Sequence, residues 1–372
     1  MTTTIGATPT VGALAAFQAD SVKVARWVDI YMPDNTTIWR SNVAITGGNV
    51  SVDMTRAERR NIDLTIYDAD NTIAYGPGGL WYDKIIKPYR GVYLPNGDIW
   101  ATCLGEFMID SISRSHFPED FQITGRDFVK KLQKAKFANT TAFSAGANIG
   151  TTIQNIATNG GITKFTFTAT SATIPAVTTF DRGTERWQAC SELATAAGYE
   201  LFFDSFGYLK FRPFVDPLTA PISYTFQDGP DSNIASFTKA TSDAFMFNHV
   251  VFYGSGNDNA MVFGEAENNL STSPTKIAAI GRRMYFRASA FVATNVAATA
   301  NAEALLNVMG LEQFDMNLSS IVLPWLEASE AVQVFTSRDE VGDPTRYLLS
   351  SFSIPLALEA MSGTAKRVTN VG

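Results

Sequence analysis

The stretch VSVDMTRAERRNIDLTIYDAD, residues 50–70, decides how the rest of the chain is read. Val50, Val52 and Met54 share one parity, and Ile62, Leu64 and Ile66 repeat that period of two. The spacing predicts two half-buried strands. Asp68-Ala69-Asp70-Asn71 then supplies turn chemistry. Working outward, Val22, Val24, Val28, Ile30 and Met32 alternate before a Pro33-Asp34-Asn35-Thr36 turn, and Gly47-Gly48 is expected to separate two runs. Beyond Gly76-Pro77-Gly78-Gly79 and the aromatics Trp81, Tyr89 and Tyr93, a Pro95-Asn96-Gly97-Asp98 turn leads into Ile99–Ile112, and Phe121–Thr124 continues the meander.

The period changes at Arg126. In RDFVKKLQKAKF (126–137), Phe128, Leu132 and Ala135 fall at helical spacing, with Asp127 in the first turn and Lys130, Lys131, Lys134 and Lys136 on a face expected to be solvated. Ile149, Ile153 and Ile156 predict a second helix stopped by Asn159-Gly160-Gly161. TERWQACSELATAAG (184–198) predicts a third, capped by Thr184 and ended by Gly198, with Trp187, Cys190, Ala194 and Ala197 as its stripe. Tyr199–Phe203, Asp204-Ser205-Phe206-Gly207 and Tyr208–Phe211 read as a hairpin. Phe245–Tyr253 and Arg283–Ala288 read as strands, with Asn257-Asp258-Asn259 in a loop. The last helix, Val296–Met309, is closed by Gly310 and offers Val296, Ala300, Ala304 and Val308 as a small-residue face. Ile321–Val334 and Tyr347–Leu358 supply the final strands. Strands, then helices, then strands again make an α+β chain with β dominant, and no fixed-period repeat is visible.

The chain has 372 residues, 45% of them apolar and only 17% charged, so it is folded rather than disordered. Twenty-nine basic against 36 acidic side chains leave a formal charge of −7, which opposes a broad phosphate-gripping surface. Cys103 and Cys190 are expected as reduced, buried thiols, because neither a Cys-x-x-Cys spacing nor a secretory leader accompanies them. Phe137–Thr163 carries no charge, but its Thr, Asn and Gly content opposes a membrane span.

With only His116 and His249, a three-histidine zinc site is impossible, and no Cys-rich metal spacing occurs. His249 sits on the parity of Phe247, Val251 and Tyr253 and reads as a packed, hydrogen-bonded histidine; His116, beside Pro118-Glu119-Asp120, reads as solvated. No Gly-x-Ser-x-Gly elbow occurs. In DADNTIAYGPGG the EF-hand glycine and glutamate positions are Ile73 and Gly79, so a turn is expected and not a calcium loop. Gly254-Ser255-Gly256 lacks the third glycine of a dinucleotide loop, and Glu119-Asp120 and Asp339-Glu340 are too close in sequence to face each other across a sugar. No catalytic, cofactor-binding or metal-binding residue is assigned.

The order of segments resembles the baseplate hub family of phage tail proteins, whose members include hubs of contractile tails and the N-terminal part of tail-tip proteins. The residues that carry this are 50–70; YDKIIKPYRGVYLPNGDIWATCLGEFMIDSIS (82–113) with Leu104-Gly105-Glu106-Phe107; ITGRDFVKKL (123–132) with Gly125 and Asp127; ERWQACSELATAAGYELFFDSFGYLKFRP (185–213) with Leu193-Ala194, Gly198, Asp204 and Gly207; and Asn248-His249-Val250-Val251. In LPWLEASEAVQVF (323–335), Ala328-Ser329-Glu330 replaces a Gly-Asp turn common in such sequences.

The resemblance implies two tube-like antiparallel β-barrels with an inserted helix-containing region: a flexible arm over 1–20, a first barrel over 21–125, a helix-rich insert over 126–215 and a second barrel over 216–372. It implies a non-enzymatic homotrimer at the tail tip of a virion, assembled in the host cytoplasm without membrane insertion, that adapts a sixfold tube to a threefold tip. Its partners would be the tail tube protein, the distal tail protein and tail-tip or tape-measure proteins, with DNA only passing through. No cell-wall hydrolase is expected after Gly372. The strands expected to continue a sheet between subunits are Val22–Met32 and Val50–Ile66. The rival readings are a sixfold distal-tail adaptor and a module that stacks Trp81, Tyr82, Tyr89 and Tyr93 on host-envelope sugars.

Overall fold

The computed structural model describes residues 2–367 apart from 69, 116–119, 217, 230–231, 242–245, 256–260, 290–291, 293, 310–313 and 337–344. The segment expected to be a flexible arm carries a short strand and a helix. β1 (Thr3–Ile5) runs parallel to β7, residues Ile99–Cys103, and α1 (Val11–Phe17) is capped by the Thr10 hydroxyl, which accepts from the Ala13 amide at 3.2 Å. Phe17 is buried edge-on against Trp100 and Trp325, 5.9 and 5.1 Å away. Those two rings come from distant parts of the chain, so nothing local announced the docking.

The first half then lays down β2 (Val24–Tyr31), β3 (Ile38–Val43), β4 (Ile45–Asp53), β5 (Arg60–Tyr67), β6 (Ile85–Tyr93), β7, β8 (Phe107–Arg114) and β9 (Asp120–Arg126). Val50, Val52, Ile62, Leu64 and Ile66 are all buried, as the period of two predicts. Gly47 and Gly48, expected between strands, lie inside β4. The register slips by one residue between Ile45 and Gly47, and Gly48 takes φ +113° where a Cβ would lie 2.0 Å from the Asp63 carbonyl oxygen. A bulge of this kind bends a strand without ending it.

The insert holds α2 (Val129–Lys134), β10 (Thr141–Phe143), α3 (Ile149–Asn159), β11 (Phe165–Phe167), β12 (Thr178–Phe180), α4 (Arg186–Ala196), β13 (Tyr199–Phe203) and β14 (Leu209–Pro213). Ile149, Ile153 and Ile156 face Cys190, Leu193 and Ala194 in one core. The cap of α4 is Glu185, not Thr184, and it makes no side-chain bond. Gly198 ends that region at φ +73°, as expected.

The second half begins with β15 (Ile222–Gln227) and β16 (Ile234–Thr241). A separate unit interrupts it: β17 (His249–Ser255), β18 (Met261–Glu267), α5 (Ile277–Ile280), β19 (Met284–Ser289) and α6 (Asn295–Met309) form a three-stranded sheet, β18-β17-β19, covered by α6. The buried face of α6 is Ala298, Ala302 and Leu306, while Val296 is exposed and Ala300 lies in solvent. Val296 and Ala300 of the expected stripe therefore point away from the core. Backbone contact decides the matter, because Gly264 of β18 admits the helix so closely that a Cβ there would lie 2.1 Å from the Thr299 amide nitrogen. Gly310 lies outside the described residues, as do Asn257-Asp258-Asn259.

The chain closes with β20 (Phe314–Ser320), β21 (Ala331–Phe335), β22 (Thr345–Pro355) and β23 (Met361–Arg367). The run Ile321–Val334, expected to supply strand, is a loop followed by β21; Ser329, at φ +68°, makes the turn between them. The architecture is β-dominant α+β. Among the described residues no sheet closes on itself; instead fifteen strands form one sheet, in which β4 pairs with β22 and joins the two halves. Val50, Val52, Ile62 and Leu64 of the first half share one continuous core with Phe226, Leu318, Phe352 and Ile354 of the second.

Candidate functional site: a repeated four-strand unit and its polar face

Eight strands of the large sheet follow one another in the order β8-β9-β5-β4-β22-β23-β20-β16, every neighbour antiparallel. They divide into two units of four. In chain order the first is β4, β5, β8, β9 and the second β16, β20, β22, β23. In space both lie third, fourth, second, first.

The correspondence reaches single residues. Register slips fall between Ile45 and Gly47 in β4 and between Ile234 and Ser236 in β16, then between Ile109 and Ser111 in β8 and between Leu349 and Ser351 in β22. The hydroxyls of Ser111 and Thr124 meet at 2.6 Å, and those of Ser351 and Thr364, at matching positions, meet at 2.6 Å. The sequence hides this repeat because β4 and β5 are neighbours in the chain, whereas β17 to α6 separate β16 from β20.

Alternation gives this sheet two unlike faces. Val50, Val52, Phe352, Ile354 and Leu318 point into the core. The other face carries the cross-strand row Asn61, Ser51, Ser353, Ser362, Ser319, Ser236, and beside it Ser351, Thr364, Asn317 and Thr238. All ten are hydroxyl or amide side chains, at least partly open to solvent, and all but Asn61 line, together with Asp53 and Arg56, an open groove of about 500 Å³. Asp53 is paired with Arg56 at 3.4 Å.

A buried ionic junction fixes this sheet to the insert. Arg59 reaches Glu200 of β13 at 2.8 Å and lies over the Phe202 ring, 3.6 Å from its centroid; Arg212 reaches the same carboxylate at 2.5 Å. Arg60 pairs with Glu327 at 2.6 Å and donates to the Leu104 carbonyl oxygen at 2.9 Å. The Arg60 and Val129 amides both donate to the Asp127 carboxylate, at 3.0 Å each. Burial pushes the Asp127 carboxyl up to about 7. Glu106 closes a second cluster with Lys87 at 2.8 Å and Lys164 at 2.7 Å.

Of the strands expected to run on between subunits, β5 is paired along both edges, with β4 and β9, whereas β2 pairs with β6 throughout but with β3 only at Val28, Ile30 and Tyr31, and β4 pairs with β22 only from Asn49 to Asp53. The lysines expected as a solvated face divide: Lys130 binds Asp110 at 2.7 Å and Lys131 donates to the Gly161 carbonyl oxygen at 2.7 Å, whereas Lys134 and Lys136 are exposed. The four aromatics do not assemble. Tyr89 is buried and stacked on Trp27 at 5.0 Å, Tyr93 lies under Lys23, and Trp81 and Tyr82 meet elsewhere, edge-on at 4.8 Å.

Cys103 and Cys190 are free and buried; burial pushes the Cys103 thiol up to about 12 and the Cys190 thiol well above the usual range. His116 and Asp339-Glu340 lie outside the described residues. His249, 2% exposed, meets Glu265 at 3.0 Å through Nε2 and Arg282 at 2.6 Å through Nδ1. With Glu265 and Glu267 it forms the one three-residue group of metal-ligand type among the described residues, but the guanidinium of Arg282, bonded to Glu267 as well, already supplies positive charge there. Among the described residues no helix is long and apolar enough to cross a membrane.

No protein-family model and no curated protein sequence matches the chain. Solved structures do. The tail protein from Neisseria meningitidis superposes over 93% of this chain and 98% of its own, with 15% identity and a TM-score of 0.64. The 43 kDa tail protein of prophage MuSo2 from Shewanella oneidensis covers 92% and 98%, with 12% identity and a TM-score of 0.61. Prophage tail protein gp18 from Listeria monocytogenes covers 92% and 94%, with 12% identity and a TM-score of 0.54. The structural neighbours of this chain are thus phage tail proteins, and its fold is theirs.

Proposed function

We propose that the chain is a structural virion protein, the hub at the distal end of a phage tail tube. Three copies form a ring that adapts the sixfold tube to a threefold tip and surrounds the channel through which DNA leaves. The observation that carries this reading is the repeated four-strand unit. Two units per chain make six in a trimer, so each can stand on one subunit of a sixfold ring. A sixfold distal-tail adaptor needs only one such unit per chain, and the second would be surplus.

The polar face supports the same reading. Lys and Arg on a channel wall would hold the phosphates of passing DNA and release counterions as they did so. A wall of Ser, Thr and Asn hydroxyls and amides offers no such grip. Both halves turn the apolar face of their strands onto one shared core. The work is mechanical and needs no catalytic residue or cofactor. The tail tube protein would sit on one side of the ring, the distal tail protein around it, and tip or tape-measure proteins against the other side, all assembled in the host cytoplasm.

The test is image averaging of the purified protein at high concentration, with its solution mass measured alongside. Threefold particles with six peripheral lobes and the mass of three chains are expected. Sixfold particles with the mass of six chains would replace the hub by the distal-tail adaptor.

A further inference from the structure

Two arginines on neighbouring strands lie side by side with no acid between them. Arg26 of β2 is opposite Arg90 of β6, and both reach the segment that follows β22. Arg26 donates to the Leu356 carbonyl oxygen at 2.5 Å, and Arg90 Nη1 donates to the carbonyl oxygens of Pro355 and Ala357, the latter at 2.9 Å. Among the described residues neither guanidinium makes another bond or an ion pair. Arg90 is only 3% exposed, and its Nε is buried without a partner. Burial and the charge of Arg26 pull its pKa down to about 10. A cation so placed is costly until an anion answers it.

Arg90 also lines an open cavity of about 210 Å³. Its walls are Phe17 of α1, Val22 and Val24 at the entry to β2, Ile321 and Val322 after β20, and Leu358 after β22. Glu359 stands beside Leu358, exposed and making no bond among the described residues. Carbonyl oxygens already hold Nη1, so Nε and Nη2 form the unused edge of the fork. A guanidinium grips a carboxylate along such an edge with two parallel N–H bonds.

The cavity is smaller than the roughly 300–1,000 Å³ of sites for drug-sized ligands, and it suits a single residue. Walls of Val, Ile, Leu and Phe cannot replace the hydration of a phosphate. An aliphatic residue at the end of a chain carries an apolar side chain and a carboxylate on one carbon, and so meets both requirements at once.

We propose that this pocket receives the apolar C-terminal residue of a partner protein, its side chain against Phe17, Val24 and Ile321 and its carboxylate on Arg90. One oxygen bonds Nη2, and a small rotation of the guanidinium brings Nε to the other, with Arg26 adding its charge. The pocket lies at strand ends, between the close of β22 and the start of β23, so the partner leaves the hydroxyl and amide face clear. That the partner is a tail protein rests on the hub reading above; the pocket does not.

The test is calorimetric titration of the full chain, its mass recorded by light scattering, with acetyl-Gly-Gly-Leu bearing a free C-terminus. Its C-terminal amide and acetyl-Gly-Gly-Gly as the free acid are the comparisons. Binding of the leucine acid at about 1 mM is expected, with the amide and the glycine acid each weaker by about tenfold or more. Arg90→Gln should abolish the preference for acid over amide. Because Arg90 also holds the end of β22, a second variant at an exposed position, Leu358→Glu, sets a negative charge at the mouth and should weaken the acid more than the amide. Equal binding of acid and amide, no binding of the acid up to about 10 mM, or wild-type binding by Leu358→Glu overturns the pocket and, with a three-chain mass, leaves the hub. Acid-selective binding by a protein of one-chain mass at every concentration overturns the hub and leaves the pocket.

Discussion

Arg59 Nη2 lies 2.8 Å from Glu200 Oε2, and the two side chains are only 6% and 7% exposed. One belongs to the loop entering β5 and the other to the insert, 141 residues later, and Glu200 also accepts from Arg212 at 2.5 Å and takes a longer bond from the Ser329 hydroxyl, at 3.3 Å. A single carboxylate thus ties the first half, the insert and the turn before β21. Removing it leaves two guanidinium groups short of a countercharge in a dry setting. Glu200→Gln is expected to lower unfolding stability by about 3 kcal/mol. Urea unfolding checks this, and a coupling of about 1–3 kcal/mol with Arg59→Gln in a double-mutant cycle is expected. An unchanged midpoint would show the junction to be ornamental.

The two glycines of β4 make a paired comparison. A Cβ at Gly48 would meet the Asp63 carbonyl oxygen at 2.0 Å, with φ at +113°, whereas one at Gly47 would meet nothing within 4 Å. Gly48→Ala should cost about 3 kcal/mol through strain and a displaced β5, and Gly47→Ala less than about 1 kcal/mol. Thermal unfolding of the two variants side by side decides it. Equal effects would mean that the bulge is not what fixes the β4–β5 register.

Asp127 gives the fold a pH dependence of unusual sign. Its carboxyl is raised by burial to about 7 in the folded chain, against about 3.9 for an unfolded aspartate, so between those values the folded state binds the extra proton. Stability from this group is therefore fully present below about pH 4 and lost as pH rises through 7. Asp127→Asn should flatten the stability profile between pH 4 and 7. It should also cost about 1–3 kcal/mol at pH 5, because the Asn amide cannot accept from both the Arg60 and Val129 backbone N–H groups. Chemical unfolding across that range is the measurement. A variant whose profile keeps the wild-type slope would move the titration to another group.

Local rules carried much of the fold. The period of two at Val50 to Ile66 and the Asn96-Gly97 turn between β6 and β7 each follow from short-range chemistry and appear where expected. The same is true of the isoleucine stripe of α3. Readings that failed depended on partners. Gly47-Gly48 resembles a break because a glycine pair is one in most settings, and only the neighbouring β5 turns it into a bulge. Val296 fits the helical stripe of α6 as well as Ala298 does, and the glycine of β18 chooses between them. Lys130 reads as solvated because Asp110, its partner, lies two strands back.

What the sequence by itself determined is the class of each segment and the character of the whole: β-dominant, low in charge, with two thiols out of reach of solvent. Alternation, turn residues and composition act over a few positions, and those are printed in the chain. Only the tertiary structure decided that β8-β9-β5-β4 and β22-β23-β20-β16 are the same unit twice, that β4–β22 joins them, and that β16 pairs with β20 alone among the described residues. Strand order and edge occupancy are properties of long-range pairing. Two strands can be interchangeable in sequence pattern and yet differ in whether both of their edges are already filled.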